Sequence, residues 1–199
     1  MTRFYVVRHG ETLFNRKNKV QGACDSPLTK NGIAQAEAII SQIDKVDFDG
    51  VYSSISERAF DTATIITSGK YEINITKQIK EMNFGYLEGE DNGVLLKPEH
   101  DGDWMKTFEE GFEYAGGESF QQVHKRLIDF ISEVAELHPD GNVLLVSHGL
   151  IVTSLGLIAD YDYTSSYLRS GNAIKNCSIS TFVYDGSLKI EKFNQEKIG

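Results

Sequence analysis

Three short stretches of the chain combine groups suited to chemistry on an anion. The first is Arg8-His9-Gly10-Glu11-Thr12, with Asn15 and the Gln21-Gly22 turn close behind. The second is Ser53-Ser54, with Arg58 four residues beyond Ser54. The third is Ser147-His148-Gly149. A neutral imidazole can attack phosphorus, and a cationic one can donate to an oxygen. An arginine fork donates to two phosphate oxygens at once. Phosphoryl transfer needs this mixture, because it rests on positioning and charge stabilisation. Asn15 and the turn amides around Gln21-Gly22 would add neutral donors. Gly149, opening a helix, would add N–H groups facing an anion. Plainer readings stand beside these: a histidine near a strand end is often structural, and Arg58 alone reads as a solvated helix charge. Two histidines could also hold a metal. The segments lack a carboxylate cluster or an i, i+4 histidine pair, so no metal and no cofactor are expected. His100, His124 and His138 read as loop or helix-surface residues without a role.

These stretches matter only if the fold brings them together. Phe4 to Val7 is a continuous apolar run, the pattern of a strand buried on both faces. Thr29 is a candidate N-cap for a helix over 31–43, with Ile33, Ala36, Ile40 and Ile43 at helical spacing. A second strand is expected over 50–54, a helix over 56–67 carrying Ala59, Ala63 and Ile66 on one face, and an edge strand over 72–76. The clearest helix covers 118–137, with Phe120, Val123, Leu127, Ile131 and Val134 in a stripe. Asn142 to Ser147 reads as a central strand, followed by a helix over 150–158. A terminal hairpin is expected around Asp185-Gly186. This alternation implies an α/β domain with a mostly parallel central sheet. Ligands of such sheets bind beyond the carboxyl ends of the strands. The three chemical stretches all fall at such ends, so two arginines and two histidines would meet on one rim.

With 199 residues the chain suits a single domain over 1–199, with a loop-rich acidic lid at about 82–117 and one short helix near 104–109. The net charge of −9 argues against nucleic acid as a partner. No apolar run is long enough to span a membrane, and the start lacks the features of a signal peptide. Two cysteines, Cys24 and Cys177, give neither a disulfide framework nor a metal knuckle, so a cytoplasmic setting is expected. Oligomeric state is left open.

The segment from Val6 to Asn15 resembles the signature of the histidine phosphatase superfamily, the phosphoglycerate mutase-like proteins. Further motifs follow in order: Gln21-Gly22, Leu28-Thr29-Lys30-Asn31-Gly32, Ser53-Ser54 with Arg58-Ala59 and Thr62-Ala63, Glu81 with Gly85 and Glu88-Gly89, Gly116-Gly117-Glu118-Ser119, and Val146-Ser147-His148-Gly149. The resemblance implies a three-layer α/β/α fold. It also implies His9 as nucleophile and Arg8, Arg58 and His148 as holders of the phosphoryl oxygens, with Asn15 and the Gln21-Gly22 loop assisting. Glu81 would be the acid that protonates the leaving group and then the base for water. Two departures stand out: Ser53-Ser54 where many members have Ser-Pro, and Leu87 where many have Trp.

Hydrolysis and mutase-type transfer share the phosphohistidine step and differ in the acceptor. Between Glu81 and Glu118 the bases are Lys97 and Lys106, against Glu88, Glu90, Asp91, Glu99, Asp101, Asp103, Glu109, Glu110 and Glu113. Such a lid is expected to repel a bisphosphate. The expectation is therefore a phosphoric monoester hydrolase of the histidine acid phosphatase type, acting on a small phosphorylated metabolite. The alternatives are phosphoglycerate mutase-type transfer and a catalytically silent binding module. Phe84, Tyr86, Trp104, Phe108, Phe112 and Tyr114 are expected either to line the leaving-group site or to pack the lid onto the body.

Overall fold

The apolar run at the start forms β1 (Thr2–Arg8), which sits inside a six-stranded sheet. A computed structural model describes residues 1–196 and residue 198, with Pro98 described only in its backbone. Residues 197 and 199, at the end of the expected 1–199 domain, lie outside the described residues. β1 pairs in parallel with β4 (Asn142–Ser147), and β4 pairs in parallel with β2 (Gly50–Ser54). β3 (Asn74–Thr76) is a parallel edge strand on β2. On the other side β1 takes β5 (Ile179–Tyr184) and then β6 (Leu188–Gln195), both antiparallel. The order β3-β2-β4-β1-β5-β6 makes a mixed sheet, parallel in its chemically interesting half.

Successive side chains of a strand point to opposite faces, and the core divides accordingly. Phe4, Val6, Val143 and Leu145 join one apolar cluster; Tyr5, Val7, Leu144 and Val146 join the other. The second is covered by α2 (Lys30–Ile43) and α3 (Glu57–Thr67), which supply Ala36, Ile39, Ala59, Ala63 and Ile66. The first is covered by α5 (Phe120–Leu137) and α6 (Gly149–Ala159), with α7 (Tyr161–Arg169) packed on α6. The result is the three-layer α/β/α arrangement.

Several expectations shift. A one-turn helix, α1 (Leu13–Arg16), interrupts the loop after β1, held by a capping box between Thr12 and Asn15. The inward face of α2 is Gly32, Ala36, Ile39 and Ile43, so Ile33 is exposed and Ile40 only half-buried. The cause lies at Gly32: a Cβ there would come 2.1 Å from the Glu11 carbonyl oxygen. The loop after β1 thus packs directly on the helix backbone. α7 was not expected from the sequence at all.

The segment over 82–117 is loop-rich, built of 3-10 turns and α4 (Trp104–Glu110). It is rooted rather than appended: Met82, Phe84, Met105, Phe108 and Phe112 are buried in the same cluster as α5 and α6. His100 is not a surface residue. It is 7% exposed, with Nδ1 bonded to the Thr107 hydroxyl and Nε2 to Glu110. His124 lies against the Phe120 ring, 3.7 Å between centroids, and burial pulls its pKa down to about 4.

Candidate active site

β1, β2 and β4 end on the same rim, and the three chemical stretches meet there around a cavity of about 610 Å³. Arg8, His9, Asn15, Gln21, Gly22, Arg58, Glu81 and Gly149 all line it. His148 is not part of the lining; it is fully buried, bonded to Arg58 and packed edge-on against the His9 ring at 5.3 Å between centroids.

His9 leaves the strand with its Nδ1 2.8 Å from the Gly10 carbonyl oxygen. A carbonyl only accepts, so the ring hydrogen belongs on Nδ1 and the free lone pair on Nε2. Burial, then the charges of Arg58 and Arg8, hold the His9 pKa well below the usual histidine range. The ring is therefore neutral near pH 7. Gly10 gives its N–H to Thr62 on α3, and a Cβ on Gly10 would meet the Gly32 carbonyl oxygen at 2.5 Å. Only glycine lets the His9 loop approach α2 this closely.

Arg58, expected on its own to be a solvated charge, is the largest fully buried side chain. It is wired on three sides. Nη1 donates to the Cys24 carbonyl and the Asp25 carboxylate, Nη2 to the Gly22 carbonyl, and Nε to His148 Nδ1. Four of its five N–H donors are thus placed, and one Nη2–H remains. His148 Nε2 lies 2.8 Å from the Ser54 hydroxyl, so both its ring nitrogens have partners. Burial and the nearby Arg58 charge keep its pKa low too.

Arg8 gives Nη1 to the Ile174 carbonyl, while its buried Nε has no partner among the described residues. A Cβ at Gly149 would come within 3.5 Å of that Nε, so glycine there leaves the donor uncovered. Glu81 accepts from the N–H groups of Met82 and Leu150. Burial raises its pKa, opposed by those bonds and by Arg58 and Arg8. The first turn of α6 thus spends an amide on Glu81 as well as facing the cavity.

The neutral donors divide. Asn15 commits its side-chain oxygen to the Thr12 N–H and to Asn176, leaving its NH2 group. The Gln21 side chain is partly committed, its oxygen accepting from Thr12 and one N–H going to Ser26, which leaves one N–H. Gly22 has φ +50, and a Cβ there would strike Glu88 at 2.3 Å.

Three supporting residues were not anticipated. Asn176 donates to the His9 carbonyl and to Asn15. Asp25 pairs with Arg58 at 2.8 Å and also caps the N–H of Glu57. Glu88, part of the Glu81 motif and one of the lid acids, accepts from the N–H groups of Ala23, Cys24 and Phe84, and so holds the loop that grips Arg58. Asp25 and Asn176 had no legible signal; Glu88 lay in a motif but not with this use.

The acidic lid needs correction. Of its nine acids, only Asp91 lines the cavity; Glu110, for one, is occupied by Lys97 and His100. The aromatic residues split: Phe84, Trp104, Phe108 and Phe112 line the cavity, while Tyr86 and Tyr114 are largely exposed. Leu87 is not part of the wall.

The site sets a buried histidine beside two arginines, a combination suited to an anionic group. The chain matches the histidine phosphatase superfamily (branch 1) over residues 4–196, and it belongs to that family. It is 34% identical over 196 residues to a Yersinia pestis protein named "Probable phosphoglycerate mutase GpmB", covering 94% of this chain and 87% of that one. Among solved structures it resembles a phosphoglycerate mutase from Bacillus anthracis, with TM-score 0.85, 28% identity and coverage of 98% and 93%. It also resembles a phosphoserine phosphatase from Entamoeba histolytica, with TM-score 0.79, 29% identity and 98% of each chain.

Proposed function

We propose that the chain is a phosphomonoesterase of the histidine acid phosphatase type, working on a small phosphorylated metabolite through phosphohistidine. The observation that carries this is the pairing of a neutral His9, its Nε2 lone pair free, with the unpartnered Nε–H of Arg8 in one cavity. The nucleophile and a donor for the phosphoryl oxygens are both uncommitted. In the first step Nε2 bonds to phosphorus as the ester P–O bond breaks, and Glu81 gives its proton to the leaving oxygen. In the second, Glu81 takes a proton from water, the water oxygen bonds to phosphorus and the P–N bond breaks. His9 returns neutral and inorganic phosphate leaves. Arg8, Arg58 and the Asn15 NH2 group balance charge on the phosphoryl oxygens. His148 acts in this reading by fixing Arg58, and it reaches an oxygen only if that contact opens.

Mutase-type transfer is the second reading, favoured by the name of the Yersinia relative. Against it, Lys19 is the only cationic side chain on the described cavity wall beyond Arg8 and Arg58, which is little for a second phosphate. Incubation with 3-phosphoglycerate and its bisphosphate primer separates the two. Free phosphate supports hydrolysis and 2-phosphoglycerate without free phosphate supports transfer, while acid-labile phosphate on His9 marks the step both share. Neither product, from folded protein, favours a silent binding module. No described helix is long and apolar enough to cross a membrane, and both cysteines are free, which supports a cytoplasmic setting.

A further inference from the structure

The floor of the cavity holds the charged groups, and the walls are of another kind. Phe84, Trp104, Phe108, Phe112, Leu168 and Ile174 form much of the surface above the floor. Several polar wall residues already have partners, though among the described residues the Thr153 hydroxyl and the Lys19 ammonium do not. Asn92 donates to Asn18 at 3.1 Å, and Asn172 donates to the Tyr167 carbonyl at 2.9 Å. The Thr107 hydroxyl is bonded to His100, and Asp91 accepts from the Gly93 N–H. Lys19 and Asp91, one cation and one anion, are paired through their backbones in an antiparallel bridge, and Asp91 spends its carboxylate on the lid turn. A leaving group thus meets walls that are mostly apolar, with few uncommitted polar groups, and whose two charges, Lys19 and Asp91, sum to zero.

Size points the same way. A cavity of about 610 Å³ lies within the range that encloses drug-sized ligands. A three-carbon phospho-acid fills a small part of it and sets a carboxylate against apolar side chains, where an unpaired charge is costly. Four aromatic rings offer edges and faces to another ring. We infer that the preferred substrate is the phosphate ester of an uncharged, largely apolar alcohol, ring-bearing and larger than a three-carbon acid. This rests on the phosphomonoesterase reading. Trp104 and Leu168 are then specificity-determining residues.

The test is a series of ethyl, hexyl and 3-phenylpropyl phosphate, whose alcohols have similar basicity, alongside 3-phosphoglycerate. Burial of the longer chain raises kcat/KM by about fiftyfold from ethyl to 3-phenylpropyl phosphate, and 3-phosphoglycerate falls well below the latter. Trp104→Ala shrinks that ratio. Leu96→Lys, at a cavity residue 49% exposed and so unlike the core aromatics, moves preference towards 3-phosphoglycerate. A flat series, or a preference for 3-phosphoglycerate in the unaltered enzyme, overturns the inference while free phosphate and phosphohistidine on His9 leave the phosphatase reading standing. Absence of turnover on every ester, with no phosphohistidine, overturns that reading and the inference with it.

Discussion

The Nε–H of Arg58 donates to Nδ1 of His148 at 3.2 Å, and this contact decides where the histidine keeps its proton. With Nδ1 accepting, the ring hydrogen sits on Nε2 and is donated to the Ser54 hydroxyl at 2.8 Å. A chain of groups from the exits of β2 and β4 thus holds the guanidinium in one orientation.

Lysine cannot reproduce that fork. Arg58→Lys is expected to lower kcat/KM by about 10²–10³, the scale for losing one preorganised donor to a developing oxyanion. Steady-state turnover of an aryl phosphate, with thermal unfolding as a folding control, reads this. A loss below tenfold would take Arg58 out of contact with the reacting group.

The pH dependence follows from two opposite shifts. His9 is held below its usual pKa and must be neutral to attack, so activity falls as acid protonates it, with a midpoint below about 6.5. Glu81 is raised and must carry a proton for the first step, so activity falls again as it ionises above about 4.5. The profile of kcat/KM is expected to peak on the acidic side of neutral. Glu81→Gln removes the alkaline limb; an unchanged limb and rate would exclude Glu81 from proton transfer.

Glu88 touches no part of the cavity floor, yet its carboxylate collects three backbone N–H groups. Glu88→Gln weakens these bonds and is expected to cost about 1.5–3 kcal/mol of stability. Through the slackened 22–25 loop, kcat falls about tenfold while the affinity for inorganic phosphate changes less. Denaturant melts and the split between kcat and KM distinguish this from a stability effect alone, which would leave kcat per folded molecule unchanged.

Acid should destabilise the fold through its buried imidazoles. His124 titrates near 4 when folded, and His9 and His148 are also depressed, against about 6.5 unfolded. Between those values the unfolded chain binds more protons, so stability is full above about 6.5 and is lost as pH falls. Melting temperatures from pH 7 to 4.5 should decline, and His124→Phe should flatten part of the slope. An identical slope would mean that His124 is not buried neutral.

The sequence made some of this legible and hid the rest for physical reasons. β1 and β4 were readable because strands buried on both faces lose their polar alternation. α3 was readable because Ala59, Ala63 and Ile66 repeat at helical spacing. The true face of α2 was not, since it turns on a backbone approach at Gly32 that no side-chain pattern encodes. α7 was missed because what it buries is Thr164, Ser165 and Leu168, mostly polar. In the site, His9, Arg8, Arg58 and Glu81 were placed by their motifs. Burial of Arg58, the commitment of Gln21 and the supports Asp25 and Asn176 depend on contacts between distant segments. The lid acids misled because a count of charges does not say which way they face.

β1 leads into His9, the proposed nucleophile, yet it lies between β4 and β5, with Phe4 beside both Val143 and Phe182. During synthesis, this strand leaves the ribosome well before either neighbour, since β4 and β5 lie far along the chain. High contact order of this kind slows folding and leaves an apolar strand unpaired in the interval. The surroundings of His9 are thus assembled late, and a truncated chain lacking β4 and β5 would present an aggregation-prone edge rather than a partial site.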